Sequence, residues 1–182
     1  AALALSRLGL TVAWTGPRAH GAAPDVRTYA LSAASIALLS RLKVWDSLPV
    51  DARTAVHDMR IEGDAGMSSL HFSAWSIGAE QLTWIVDAAE LEDGLAAALR
   101  YAPHVTPVAD GADAALQVLA EGRGSAARDR LGVQMPLQSY GQRGLAARLV
   151  ADRPHAGTAR QWFRSPDVLA LLPFDRPQPG RS

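Results

Sequence analysis

Apolar positions along this chain come in short bursts, some at helical spacing and some alternating, broken by clusters of Gly, Pro, Asp and Ser. The first burst, Ala1 to Leu8, predicts the last turns of a helix capped by Gly9, and Leu10 to Trp14 predict a strand. Thr15 to Pro24 has loop composition, and "DVRTYALS" from Asp25 is a brief extended segment. Ser32 to Leu42 places Ile36, Leu39 and Leu42 on one helical stripe. Val56, Met59 and Ile61 lead into Gly63-Asp64-Ala65-Gly66, and Leu70 and Phe72 lead out, which predicts a β-hairpin. Leu82 to Val86 predicts a strand. Ala89 to Tyr101 predicts the clearest helix, with Leu91, Leu95 and Leu99 four residues apart. Val105 to Val108 and Leu116 to Ala120 predict strands joined through "ADGADA". Three more follow at Gly144 to Ala151, Thr158 to Arg164 and Val168 to Leu172, and the tail "DRPQPGRS" has turn composition. The order is βαβ-like in front and strand-rich behind, an α/β (α+β) architecture.

One stretch carries candidate chemistry. In "LQVLAEGRGSAARDRLGV" an apolar run stops at Glu121-Gly122-Arg123-Gly124-Ser125 and resumes as a helical pattern with Ala126, Ala127 and Leu131, ended by Gly132. A strand delivered through two glycines and a serine into a helix start makes an anion-binding corner. An ordinary βα loop with Ser125 as N-cap explains the same residues. Gly122, Gly124 and Ala127 fit the relaxed dinucleotide pattern GxGxxG/A, but the acidic residue expected about 20 positions later is replaced by "PLQSYGQRG".

Composition narrows the field. The chain has 182 residues, enough for one domain with a sizeable core, and 48% of them are apolar. Eighteen basic and eighteen acidic residues cancel, so nothing in the charge favours nucleic acid. Cysteine is absent, which excludes disulfides, thiolate metal sites and cysteine nucleophiles. No apolar run reaches the roughly 20 residues of a membrane span. The opening "AALALSRLGLTVAW" lacks the basic start of a signal peptide and reads as the inside of a helix running into a strand, so a chain cut upstream is expected. The five histidines (His20, His57, His71, His104, His155) show no metal-ligand spacing, and neither GxSxG nor a P-loop is present. Asp110 and Asp113 flank a turn.

Several collinear blocks go further. "DVRTYALSAASIALLSRLKVWDSLP" resembles the D-x-R-x-x-A-L-S segment of the FAD-dependent aromatic hydroxylases of ubiquinone biosynthesis. "LTWIVDAAELEDGLAAAL" resembles the strand and helix after that family's hairpin, and "LQVLAEGRGSAARDRLGV" its second cofactor motif. "YGQRGLAARLVADRPHAGTARQWFRSPDVLALLPF" is similar to its Y-x-Q…PH-x-x-x-A…LALLP block.

The resemblance implies an FAD-binding, Rossmann-like three-layer ββα domain combined with part of a mainly antiparallel substrate-domain sheet. Residues 1–60 would belong to the cofactor domain, 61–86 to the start of the substrate sheet, 87–140 to the cofactor domain again, and 141–182 to further substrate strands. The family's first GxGxxG would precede Ala1 and its Gly-Asp-Ala motif would follow Ser182, so a fragment truncated at both ends, inactive alone, is expected. Glu121 and Gly122 stand at the family's Asp-Gly beside the cofactor pyrophosphate. Ser125 and Arg128 match its S-x-x-R, and Arg27 matches the arginine that reaches the FAD phosphate or adenosine side. Asp87 lies near a flavin contact. Two departures stand out: Gly16 occupies the place of a ribose-binding acid at the end of the second strand, and Glu121 replaces Asp.

The activity implied is monooxygenation of an aromatic polyprenyl phenol in ubiquinone biosynthesis, with FAD as cofactor, NAD(P)H as electron donor and O2 as co-substrate. Expected partners are that substrate and a quinone-biosynthesis assembly, with no nucleic acid; the expected location is the cytoplasm or the periphery of the inner membrane. The stretch from Gly141 to Phe174 would wall the substrate pocket, with either Trp162 or Phe163 facing it, because neighbours on a strand point oppositely. The alternative is a non-catalytic homologue that has lost flavin and acts as a partner in the assembly, a reading favoured by Gly16 and Glu121. Gln142 and His155 match family positions without a chemical role.

Overall fold

A computed structural model of the chain describes residues 1–16, 25–64, 68–109, 111–122, 124–136 and 138–181. Ala65 and Gly66 of the hairpin turn, most of the loop before Asp25, Asp110 and Arg123 fall outside these residues. The chain is a mixed α/β protein that divides into two compact units, one of residues 1–23 and 97–145, the other of residues 24–96 and 146–182.

The first unit is built on α1 (Ala2–Arg7) and a two-stranded parallel sheet of β1 (Val12–Trp14) and β7 (Val105–Pro107). Gly9 follows α1 at φ 78°, a left-handed value that glycine adopts without a Cβ penalty, and donates to Ser6 O. Ser6, buried on the same helix, donates its hydroxyl to Pro103 O. Farther along, Ser125 caps α4 (Ala126–Arg130), and Gly132 at φ 72° follows it.

In the second unit β2 (Thr28–Leu31) and β3 (Arg53–Val56) flank β6 (Thr83–Asp87), both antiparallel to it. Ser32 N-caps α2 (Ala33–Arg41), accepting from Ser35 N; Leu39 is buried and Ile36 and Leu42 are half-buried, as their spacing requires. α3 (Ala88–Arg100) begins directly after β6. A Cβ on Gly94 of α3 would stand 3.1 Å from Leu48 Cδ2, so the missing side chain lets the helix approach the turn after α2. On this side Trp45 meets Trp84 edge-on at 5.4 Å, and the Arg53 guanidinium lies 4.9 Å over the Trp45 ring. On the other face of the three-stranded sheet, Val56 and Ile85 form a core with Ala159 and Phe174, and Met59 packs against it.

The other sheet of this unit runs β5-β4-β8-β9, with β4 (Asp58–Glu62), β5 (Ser69–Ser73), β8 (Thr158–Arg164) and β9 (Asp167–Leu171). β4 pairs antiparallel with β5 and parallel with β8. The expected hairpin is therefore β4–β5, but Val56 belongs to β3 in the other sheet, because the chain breaks at His57 between the two.

Three sequence expectations fail. Leu116 to Ala120 form no strand, and Leu116 and Val118 are exposed, since no ladder among the described residues takes up their backbone groups. Gly144 to Ala151 is likewise irregular. Leu131, expected on the buried side of α4, is exposed, and Ala127 alone of that stripe is buried. The tail from Asp175 turns as expected, and just before it Pro173 and Phe174 are buried, Phe174 covering Val56 and Ile85 of the three-stranded sheet.

Candidate functional site

The six residues singled out from the sequence fall into two groups, one in each unit. Arg27 and Asp87 are neighbours. Thr28 pairs with Asp87 across β2–β6, and Ala88 N donates to Arg27 O at 3.2 Å. Asp87 closes β6 and N-caps α3: Oδ1 accepts from Ala89 N at 3.0 Å and Glu90 N at 3.3 Å. Its side chain is 4% exposed, and Oδ2 faces Arg148 Nη2 at 3.0 Å and Arg176 Nη1 at 3.6 Å. A carboxylate so far from water is tolerated only with partners of this kind.

Each of those arginines reaches further. Arg148 Nη2 donates to Asp25 O, and its guanidinium lies 5.0 Å over the Phe174 ring. Arg176 makes a two-pronged pair with Asp51 at 2.8 and 2.9 Å and reaches Glu90 at 2.7 Å. Hydrogen bonding to Arg176 holds the Asp51 carboxyl below its ordinary range. Arg148 and Arg176 were missed in the sequence; the one available signal was a charged pair, Asp175-Arg176, directly after an apolar run.

The Arg27 fork is taken. Nε and Nη2 grip both oxygens of Asp25 at 2.6–3.1 Å, and Nη2 lies 3.4 Å from Glu92 Oε1, which also accepts from the Tyr29 hydroxyl. Hydrogen bonds from the Arg27 side chain and backbone pull the Asp25 carboxyl down to about 2. The Arg27 side chain keeps more than half its surface in water.

In the first unit, Glu121, Gly122, Ser125 and Arg128 come together as one knot. Ser125 is buried, its Oγ accepts from Arg128 N at 3.1 Å, and its hydroxyl bonds the Glu121 carboxylate. Arg128 Nη1 returns to Gly122 O at 3.3 Å. Gly122 has φ 73°, and a Cβ there would meet nothing within 4 Å, so the requirement for glycine at this point is conformational. At the end of β1 the Trp14 ring lies where a Cβ on Gly16 would stand, which leaves no room for an acidic side chain at that place.

These contacts measure how the residues suit a dinucleotide phosphate. Arg27 suits it, as an exposed guanidinium whose partner is a half-buried carboxylate that a phosphate can replace. The Glu121 corner does not: the Ser125 hydroxyl is spent on the chain's own Glu121 carboxylate, and that carboxylate repels an anion. No reaction step is assigned to that corner.

A third feature belongs to the β5-β4-β8-β9 sheet. Its registers put Met59, Ile61, Leu70, Phe72, Phe163 and Val168 on one face. Beyond Met59 and Ala159, which pack into the core, that face is open: Leu70, Phe72, Phe163 and Val168 are 59, 49, 41 and 55% exposed. Trp162 points the other way, beside Leu169 and Glu62. That second face also carries Arg60 and His71, whose Nε2 lies 2.8 Å from Asp58 Oδ1. Among the described residues no cluster of His, Asp and Glu suits a metal ion, and no helix is long and apolar enough to cross a membrane.

No protein-family model matches the chain. Among solved structures it is similar to p-nitrophenol 4-monooxygenase PnpA from Pseudomonas putida DLL-E4, at 17% identity and a TM-score of 0.43. The match covers 59% of this chain and 27% of that one, so the chain corresponds to about a quarter of the neighbour's length.

Proposed function

We propose that this chain is part of an FAD-dependent monooxygenase that hydroxylates an aromatic polyprenyl phenol in ubiquinone biosynthesis, with NAD(P)H and O2. Residues 1–60 and 87–140 serve its cofactor domain, and 61–86 and 141–182 its substrate domain. The sequence resemblance supports the reading over nearly the whole chain. The structural observation that carries it is the open apolar face with Phe72 and Phe163, a surface suited to an apolar ring in a dry pocket. FAD, when bound, supplies the redox chemistry that activates oxygen. The chain's own part is to hold and orient: Arg27 exchanges Asp25 for a cofactor phosphate, Asp87 fixes the start of α3 beside it, and the apolar face excludes water from the ring.

A second reading rests on the Glu121–Ser125 contact and on the Trp14 ring over Gly16. Both remove features that a bound dinucleotide needs, as in a homologue that has given up flavin and acts as a partner in a quinone-biosynthesis assembly. FAD titration of the protein carrying this chain with its flanking sequence separates the two. The hydroxylase reading expects saturable binding that Arg27→Ala weakens at least about tenfold, the scale of a lost charge-assisted hydrogen bond. Absence of saturable binding leaves the partner reading.

A further inference from the structure

We propose that His155 is a positioning residue whose neutral imidazole, bare at Nδ1 and protonated at Nε2, holds the turn that launches β8 in register.

Thr158 N donates to His155 O at 3.0 Å, closing a four-residue turn through Ala156 and Gly157. Both central residues have positive φ, 48° and 64°, the pattern of a type I′ turn. Gly157 bears this without a penalty, but Ala156 is an ordinary residue in a left-handed conformation and resists it. What opposes that resistance is the side chain before it. Gly157 N lies 3.0 Å from His155 Nδ1. An amide N–H can only donate, so Nδ1 must carry its lone pair, and a neutral ring must then carry its proton on Nε2.

The surroundings agree with that tautomer. His155 Nε2 is buried and faces Asp175 Oδ1 at 3.4 Å. Asp175 is itself fixed, with Oδ2 accepting from the Thr54 hydroxyl at 3.0 Å and Oδ1 from Gly180 N at 2.7 Å. A carboxylate on the Nε2 side selects the form with its proton there. Thr54 on β3 thus holds Asp175, whose carboxylate stands beside His155 Nε2 without a hydrogen bond between them.

The turn controls the sheet because Gly157 sits at its first rung. Gly157 O accepts from His57 N at 2.8 Å, and the ladder opens with Asp58 opposite Thr158. A slip of one residue here would turn Phe163 and Val168 from the apolar face to the polar one. This role is independent of any cofactor.

Long-range nitrogen–proton NMR of the imidazole in the 182-residue chain reads the tautomer directly. The expected spectrum for His155 has an unprotonated Nδ1 and a protonated Nε2; a protonated Nδ1 overturns the proposal. Substitutions give a second, separate readout. His155→Ala is expected to lower the melting temperature by about 2–4 °C, the loss of one hydrogen bond in a chain of this size. His155→Asn, whose carbonyl oxygen can accept the same N–H two residues on, is expected to recover at least half of that loss. Ala156→Gly is expected to shrink the effect of His155→Ala, because it removes the strain that His155 opposes. Equal melting temperatures for the alanine and asparagine variants, or additive effects of the two substitutions, would overturn the assignment. If the alanine variant does not fold, the tautomer and the asparagine variant still decide.

Discussion

Asp87 Oδ2 and Arg148 Nη2 face each other at 3.0 Å, joining the first turn of α3 to a residue in the irregular run before β8. The carboxylate is almost wholly buried and the guanidinium three-quarters so. Asp87→Asn keeps an acceptor for the α3 amides but leaves two arginines beside a neutral group. We expect a loss of about 2–3 kcal/mol in denaturant unfolding, below the full scale for a buried pair because both arginines keep some contact with water. Asp87→Ala should cost about 1 kcal/mol more, since the helix cap goes as well. Near-equal midpoints for the two variants would show that the cap contributes nothing beyond the charge.

Gly157→Ala tests the start of β8. At φ 64° an added Cβ is strained, and it would also stand 2.7 Å from His57 Cδ2. The two penalties together are expected to cost about 2–4 kcal/mol. Gly122→Ala shares the positive φ but has open space, so it should cost about 1 kcal/mol. Similar losses at both positions would remove crowding from the account.

Acid should act through the paired carboxylates. Asp25 is held near 2 by Arg27, and Asp51 and Asp58 are lowered by Arg176 and His71. In the unfolded chain each protonates at roughly 3.9. The folded state binds fewer protons there, so this stability is whole above about pH 4 and is lost as pH falls through the folded values. A melting-temperature profile from pH 6 to pH 2 should show a falling acid limb. Asp25→Asn should flatten its lower part, and an unchanged limb in that variant would refute the contribution of the pair.

Phe163 and Trp162 give a paired test of the apolar face. Under the proposed hydroxylase function, Phe163→Ala in the complete protein is expected to raise KM for an aromatic substrate about tenfold, the worth of one partly buried ring. Trp162→Ala, on the opposite face, should leave KM near its parent value. The reverse ranking would place the substrate on the other side of the sheet.

Much of this arrangement was legible in the chain. Leu39 and Leu91 are buried where helical spacing put them, and Thr158 to Arg164 is a strand with the expected bounds. Ser125 caps α4 as the loop reading allowed. Leu116 to Ala120 misled because alternation records what a strand could bury, while a ladder needs a second strand elsewhere in the chain. For the same reason Asp87, Arg148 and Arg176 could not be joined from the sequence, since nothing local ties 87 to 148 or 176. Whether Trp162 or Phe163 shares the apolar face was settled by register, which a single strand does not contain.

The closing run 173–176 bears on the order in which the chain acquires its structure. Ile85 and Val56 are synthesised well before their cover, Phe174, and β4 waits a hundred residues for β8. The three-stranded sheet must therefore persist with one face bare while residues 97–145 are made. Contacts so distant along the chain pay their loop-closure entropy before any reward. Closure of this core should then be slow, and it is complete only when Phe174 docks. A ribosome-stalled chain ending before Pro173 should bind chaperones more than one that extends past Phe174 and Arg176.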